Sequence, residues 1–375
     1  MKTAFKFLKR MLIALILVLA ALVAGTFIFV KTAPQFGQPP QGEHLKKLQQ
    51  SPHYQNDQFV NLIETGMGSF GEMMQTLPKM LFGKGQTPQQ ALPVKFGENA
   101  TKATADTACF VTWYGHSAFL LELEGQRILI DPMLGETAAP VSFGSTRFKY
   151  QKAIPLEDLT QIDAVILSHD HYDHLDYPTI LKLKDEVGHF YTALGLGSHL
   201  QKWGVPSHKI IELDWWQSAK SQGLELVATP ARHFSGRGLT DRNKTQWASW
   251  VIKGKHHQLY FSGDGGYGPH FTEIGEKYGP FDLAFLECGQ YNKAWSQIHM
   301  MPEESVKAGR DLQAKLLMPI HWGAFKLAVH EWTEPIKRFK VASSQAGVPM
   351  VHPYIGQRFQ LNQEFPRPLW WEEGA

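Results

Sequence analysis

The chain has 375 residues, 43% hydrophobic and 19% charged. That is enough apolar material for one large or two ordinary domains, and too little charge for a disordered chain. A formal net charge of +2 supplies no broad basic face, so a nucleic-acid partner is not expected.

Lys2, Lys6, Lys9 and Arg10 lead into MLIALILVLAALVAGTFIFV, twenty uncharged residues from Met11 to Val30. A helix of about that length spans the apolar part of a bilayer. The run is longer than the apolar stretch of a signal peptide, and its exit, VKTAPQF, is a poor cleavage site. An uncleaved anchor over 11–30 is therefore favoured over a signal peptide. The basic residues of 1–10 place the short N-terminus in the cytoplasm. The rest of the chain would then face the periplasm from a bacterial inner membrane.

Residues 31–105 are rich in Gln, Gly and Pro and read as a tether. Within it Phe59, Leu62, Ile63, Met67, Phe70, Met73, Met74 and Leu77 recur at helical spacing. Such a stripe suits packing on the main domain, a lid over a pocket, or contact with lipid; Gly66, Gly68 and Gly71 weaken it as a free-standing helix. Short apolar runs follow: CFVTWYG, AFLLELEG, RILIDP, AVILSH, LELVATP, WASWVIKG, QLYFSGD, DLAFLEC and LLMPIHW. They predict strands, with helices over 177–187, 197–203 and 302–312 between them, hence a layered α/β domain over 106–362 and a tail over 363–375. Cys109 and Cys288 are too few for a disulfide scaffold or a thiolate metal site. They read as small buried hydrophobes, with a single bridge between them left open.

The stretch ILSHDHYDHLD, residues 166–176, follows one of these strands. His169 and His171, two positions apart, can converge on one ion, and Asp173 with His174 can serve a second beside it. A polar turn capping the next helix would explain Asp173 or Asp176 but not three histidines. His233, Asp264 and His321 each stand just past another apolar strand. Asp264, in the glycine-flanked turn SGDGGY, suits an oxygen ligand shared between two ions.

This series resembles the metallo-β-lactamase superfamily, whose fold is an αββα sandwich. The resemblance covers about Cys109 to Phe359. It implies that His169, His171 and His233 hold one metal, that Asp173, His174 and His321 hold the other, and that Asp264 bridges them. It also implies a supporting role for Asp131. A narrower likeness, to the branch of N-acylphosphatidylethanolamine-hydrolysing phospholipase D and its bacterial relatives, rests on TWYGHSAFLLE with His116, NKTQWASW, SGDGGYG, HMMPEESV and PIHWGAF. His299 and Glu303 are candidates to line the site or orient ligands, with a structural role at a helix start as the alternative. Trp247, Trp250 and Trp322 read as core.

A histidine and carboxylate donor set without thiolate suits two zinc ions, and manganese or iron can use the same donors. Two such cations make hydroxide from a bridging water near neutral pH and polarise a phosphoryl or carbonyl oxygen. Asp173, Asp264 and His299 are then the expected catalytic side chains. Three function classes follow: a phosphodiesterase acting on phospholipids, a hydrolase of lactones, esters or amides, and a nonenzymatic metal-binding envelope protein.

Overall fold

The computed structural model describes residues 2–97 and 107–373, so the domain boundary expected at 105/106 lies outside them. Helix α1 (Lys2–Thr32) contains one segment, Thr3–Thr32, long and apolar enough to cross a membrane, and its apolar window is not buried against the rest of the chain. A 3-10 turn at Pro34–Phe36, helix α2 (Gly42–Leu48) and a hairpin of β1 (Tyr54–Gln55) and β2 (Gln58–Phe59) come next. The expected tether is therefore not a free linker in this part. Phe36, Leu48 and Phe59 are buried in the domain.

The apolar stripe expected as one helix is broken. Helix α3 (Phe70–Phe82) starts only after Ser69, whose side chain forms a capping box with Glu72. Phe59 lies in the hairpin, and Leu62, Ile63 and Met67 lie in extended chain before the cap. The glycines at 66 and 68 delay helix initiation, because each has more backbone freedom to lose.

The strands of the main domain are β3 (Cys109–Trp113), β4 (Phe119–Leu123), β5 (Gln126–Ile130), β6 (Ile162–Leu167), β7 (Val187–Ala193), β8 (Ile210–Leu213) and β9 (Ser218–Ser221). They continue as β10 (Leu224–Thr229), β11 (Ser249–Lys253), β12 (Gln258–Phe261), β13 (Leu283–Glu287), β14 (Leu317–Ile320) and β15 (Arg358–Gln360). Among them run helices α4 (Tyr177–Leu183), α5 (Gly197–Lys202), α6 (His270–Tyr278), α7 (Pro302–Asp311) and α8 (Glu334–Ala346), with α9 (Trp370–Glu373) last. One sheet has the order β15-β3-β4-β5-β6-β7-β8 and the other β14-β13-β12-β11-β10-β9. Each is antiparallel at one end and parallel at the other: β5 to β8 run parallel in the first, β12 to β14 in the second.

The central parallel strands, β6, β12 and β13, are mostly buried apolar runs because both of their faces are covered. Between the sheets Phe119 meets Phe285 at 4.6 Å and Phe261 at 6.3 Å between ring centroids. On the outside α7 packs on β13 with α6 and α8 beside it, and α5 packs on β8. This is the αββα sandwich. Trp247, Trp250 and Trp322 are buried, and so are both cysteines, which are free. The segment expected as a tail ends in the core: Trp370 stacks on Trp322 at 5.1 Å and its indole N–H donates to the Pro353 carbonyl at 2.9 Å. Two indoles in so short a stretch carry enough apolar area to dock it.

Candidate metal centre

Each candidate ligand stands where a buried strand stops. The His169–His174 loop leaves β6, His233 follows β10, Asp264 follows β12, and His321 directly follows β14. His116 turns between β3 and β4, and Asp131 directly follows β5. His116, Asp131 and His321 hold positive φ angles of 53°, 38° and 66°. That conformation costs of order 1 kcal/mol or more for a residue with a Cβ, and it persists only where surrounding contacts impose it. Here the imposing contacts are backbone bonds between the turns: His321 N–H donates to the His116 carbonyl at 3.0 Å, and His116 N–H to the Trp322 carbonyl at 2.9 Å.

Seven side chains converge. His171 Nδ1 lies 2.8 Å from His169 Nε2 and 3.2 Å from His233 Nε2. Two nitrogens on one tetrahedral zinc, each about 2.0–2.1 Å from the ion, would be about 3.3 Å apart. On the other side His174 Nε2 is 3.5 Å from Asp173 Oδ2, which is itself 3.9 Å from His321 Nε2. Asp264 stands between the groups: its Oδ2 is 3.1 Å from His174 Nε2 and 3.9 Å from both His169 Nε2 and His233 Nε2. The other oxygen, Oδ1, is buried and lies 3.1 Å from His321 Nδ1, but among the described residues it accepts no hydrogen bond of good geometry. An orphaned carboxylate oxygen facing clustered imidazoles is costly unless a cation completes the set, so these residues fit a pair of metal ions.

The supporting contacts are equally specific. Asp131 Oδ2 sits 2.6 Å from His174 Nδ1, and the same carboxylate accepts from the Ser168 N–H at 2.8 Å. His233 Nδ1 faces the Ile298 carbonyl at 2.9 Å. Such contacts fix the tautomer and ring orientation of a ligating histidine. His116 Nε2 is 2.9 Å from Asp173 Oδ2, so His116 braces a carboxylate of the second group.

Burial, together with neighbouring imidazoles, holds His169, His233 and His321 well below the usual histidine range, which keeps their ring nitrogens neutral and available. For His174 burial acts in the same direction but is overridden by Asp264, Asp173 and Asp131, and its pKa is well above normal. Burial would raise Asp173, but His174 and His116 hold it well below the carboxylate range.

His299 reaches the cluster, its ring stacked on His321 at 5.3 Å and 5.1 Å from that of His233. Glu303 does not: its carboxylate pairs with the Arg338 guanidinium at 2.7 Å on the surface, so it is a helix-start residue and not part of the site. Sequence reasoning missed Glu287, the last residue of β13. It is fully buried, lies 2.8 Å from His299 Nδ1, and accepts from the Gly265 and Met300 N–H groups at 3.0 and 2.9 Å. Its signal, a carboxylate closing an apolar strand, is the one that marked Asp264.

A cavity of about 300 Å3 opens on His171, Asp173, Asp264, His299 and His321. Its remaining wall is mostly apolar and includes Met67, Met73 and Met80 beside Phe234, Ile298 and Leu327. Helix α3 thus forms one side of the site. A larger cavity of about 720 Å3 lies against the polar side of α3, by Glu72, Thr76 and Lys79, and holds none of the candidate ligands.

A two-sheet sandwich with histidines and aspartates gathered from the ends of its strands is the architecture of metallo-β-lactamase-fold hydrolases. The family description "Beta-lactamase superfamily domain" matches residues 126–322. An uncharacterized protein of Mycobacterium tuberculosis is 40% identical over 328 residues, 86% of this chain and 88% of that one. The N-acyl-phosphatidylethanolamine-hydrolyzing phospholipase D 1 of Caenorhabditis elegans is 32% identical over 250 residues, 63% of this chain and 70% of the worm protein. A metallo hydrolase of the archaeon Ignicoccus hospitalis shares the fold, with a TM-score of 0.52 at 23% identity over 69% of this chain and 100% of the other. The chain belongs to the β-lactamase superfamily, and its relatives include a UPF0173 metal-dependent hydrolase of Caldivirga maquilingensis, 30% identical over 58% of this chain and 83% of that one.

Proposed function

We propose that the chain is a dinuclear zinc phosphodiesterase of phospholipase D type, acting on N-acylphosphatidylethanolamine or a related phospholipid. The observation that carries this reading is the apolar, methionine-rich wall facing the candidate ligands. Methionine side chains adapt to irregular apolar partners, as acyl chains are. The worm relative, by its name, hydrolyses such a lipid. Bound zinc would supply a water of lowered pKa and polarise the phosphoryl oxygens.

The chain's own residues do the rest. His169, His171 and His233 form one binding group, Asp173, His174 and His321 the other, and Asp264 joins them. Asp131 and His116 hold His174 and Asp173 in place. His299, its pKa raised to about 9 because Glu287 outweighs the effect of burial, is held protonated at the cavity wall. It is placed to give its proton to the alcohol oxygen as the phosphorus–oxygen bond to the N-acylethanolamine breaks. Water supplies the oxygen that stays on phosphatidic acid. We place the domain on the periplasmic side of the inner membrane, anchored by α1.

The test is turnover of N-acylphosphatidylethanolamine and, in parallel, of a lactone by the zinc-loaded full chain and by Asp264→Ala. Turnover of the lipid by wild type with near-complete loss in the variant is expected. Lactone turnover without lipid turnover would replace this reading with that of a carboxylic-ester hydrolase. Equal lipid turnover by both chains would remove Asp264 from its role.

A further inference from the structure

The ligand loop has a second face. His169, His171, Asp173 and His174 alternate with Asp170, Tyr172 and Leu175, and these are held by Arg237 and His199, which in turn bond the segment that follows helix α1. Arg237 is buried, and its guanidinium donates in two directions. Its Nη1 bonds the Asp170 and Leu175 carbonyls at 2.6 and 2.8 Å, while Nε and Nη2 bond the Gln35 carbonyl at 3.1 and 2.8 Å. Its plane lies over the Tyr172 ring at 4.0 Å, and Phe36 meets the same ring edge-on at 6.2 Å. Beside it the Gln38 N–H donates to His199 Nδ1 at 3.1 Å. A backbone N–H can only donate, so His199 carries its proton on Nε2, which faces Asp170 Oδ2 at 3.3 Å. Trp203 closes the strap from the side, its indole N–H donating to the Pro34 carbonyl at 2.7 Å.

We propose that the juxtamembrane strap Pro34–Gln38 is a working part of the metal centre, which fixes the His169–His174 loop through Arg237 and His199 as positioning residues. The inference rests on reading that loop as a metal loop. A planar guanidinium joining two backbone segments transmits position, because its five donors have a fixed geometry. Three carbonyls, those of Gln35, Asp170 and Leu175, converge on it. The strap also fits closely. Gly37 has φ +66°, and a Cβ added there would stand 2.1 Å from His199 Nδ1. The ends of the device are thus the membrane helix, which stops at Thr32, and the ligands, which begin at His169.

Contacts that orient ligands typically change metal affinity by about 10- to 100-fold when removed. The experiment uses the full chain in detergent with the substitutions Gly37→Ala and Arg237→Gln. Zinc affinity is measured by chelator competition, and the cobalt-substituted protein gives an absorption spectrum of the ligand field. Both variants are expected to bind zinc at least about tenfold more weakly, with a shifted cobalt spectrum. Relative to wild type, the double variant is expected to lose more affinity than the worse single variant but less than the product of the two single losses, as for residues in one network. A folded Gly37→Ala chain with wild-type affinity and spectrum overturns the proposal, and it decides alone if Arg237→Gln does not fold. A wild-type chain that takes up no metal would instead remove the metal reading beneath it, so the two failures are told apart.

Discussion

Glu287 ends a strand whose other side chains are all apolar, and it has no access to solvent. Burial raises its pKa to about 7 against the pull of His299, and it in turn lifts His299 to about 9. As pH rises from about 4.5 to 7 the unfolded chain loses the Glu287 proton while the folded chain retains it; between about 6.5 and 9 the same holds for His299. In both windows the folded state binds more protons, so stability falls as pH rises. Glu287→Gln removes the first contribution and, with the carboxylate gone, leaves burial to push His299 down. The stability advantage of metal-free wild type over metal-free Glu287→Gln should therefore shrink steadily from about pH 4.5 to 9 in denaturant titrations. A pH-independent difference would show that the pair is not coupled as its 2.8 Å contact implies. Residues of this kind mark how far the sequence could be read. His169, His171, Asp173 and His174 are legible because four donors fall within one turn. Glu287 is single: its place at the end of an apolar strand was a weak signal by itself, and its contact with His299 at 2.8 Å is what ties it to the site. Glu303 is the opposite case: the motif HMMPEESV offered it as a site residue or as a helix-start residue, and its pairing with Arg338 at 2.7 Å favours the second.

At the scale of elements, strands were legible as apolar runs, and the helices expected at 177–187, 197–203 and 302–312 stand at 177–183, 197–202 and 302–311. The N-terminal stripe was not legible, because apolar spacing alone does not locate a cap. Ser69 does: its Oγ accepts from the Glu72 N–H at 3.3 Å, and Glu72 accepts from the Ser69 N–H at 2.7 Å. Helix α3 has Met73, Met74, Leu77, Met80, Leu81 and Phe82 exposed, and of these Met73 and Met80 line the open cavity. Little burial supports it, so its cap matters more than usual. Ser69→Ala should cost about 1 kcal/mol, confined to α3. Hydrogen exchange of the α3 amides should accelerate roughly fivefold, while the global unfolding midpoint stays in place. Unchanged exchange would mean that packing against the cavity, and not the cap, holds the helix.

For the whole molecule the decisive relation is between α1 and the strap. Ala33 alone separates the last helical residue from Pro34, and Phe36 is already buried in the domain, edge-on to Phe29 of the helix at 5.5 Å. A processing enzyme needs an extended, accessible segment after the apolar run, whereas this one is bonded to Trp203, Arg237 and His199 within six residues of Thr32. Once folded, the domain protects the junction, and the proposed anchor would hold the metal loop at a fixed short distance from the bilayer instead of on a long leash. The chain recovered from cells should therefore keep its N-terminus by intact mass and remain in the membrane pellet after carbonate washing. Protease added to spheroplasts should reach the domain, in keeping with four basic residues before the span and Lys31 alone directly after it. A mature chain beginning near residue 34 in the soluble periplasm would make α1 a signal sequence. A domain shielded from protease until lysis would reverse the proposed topology.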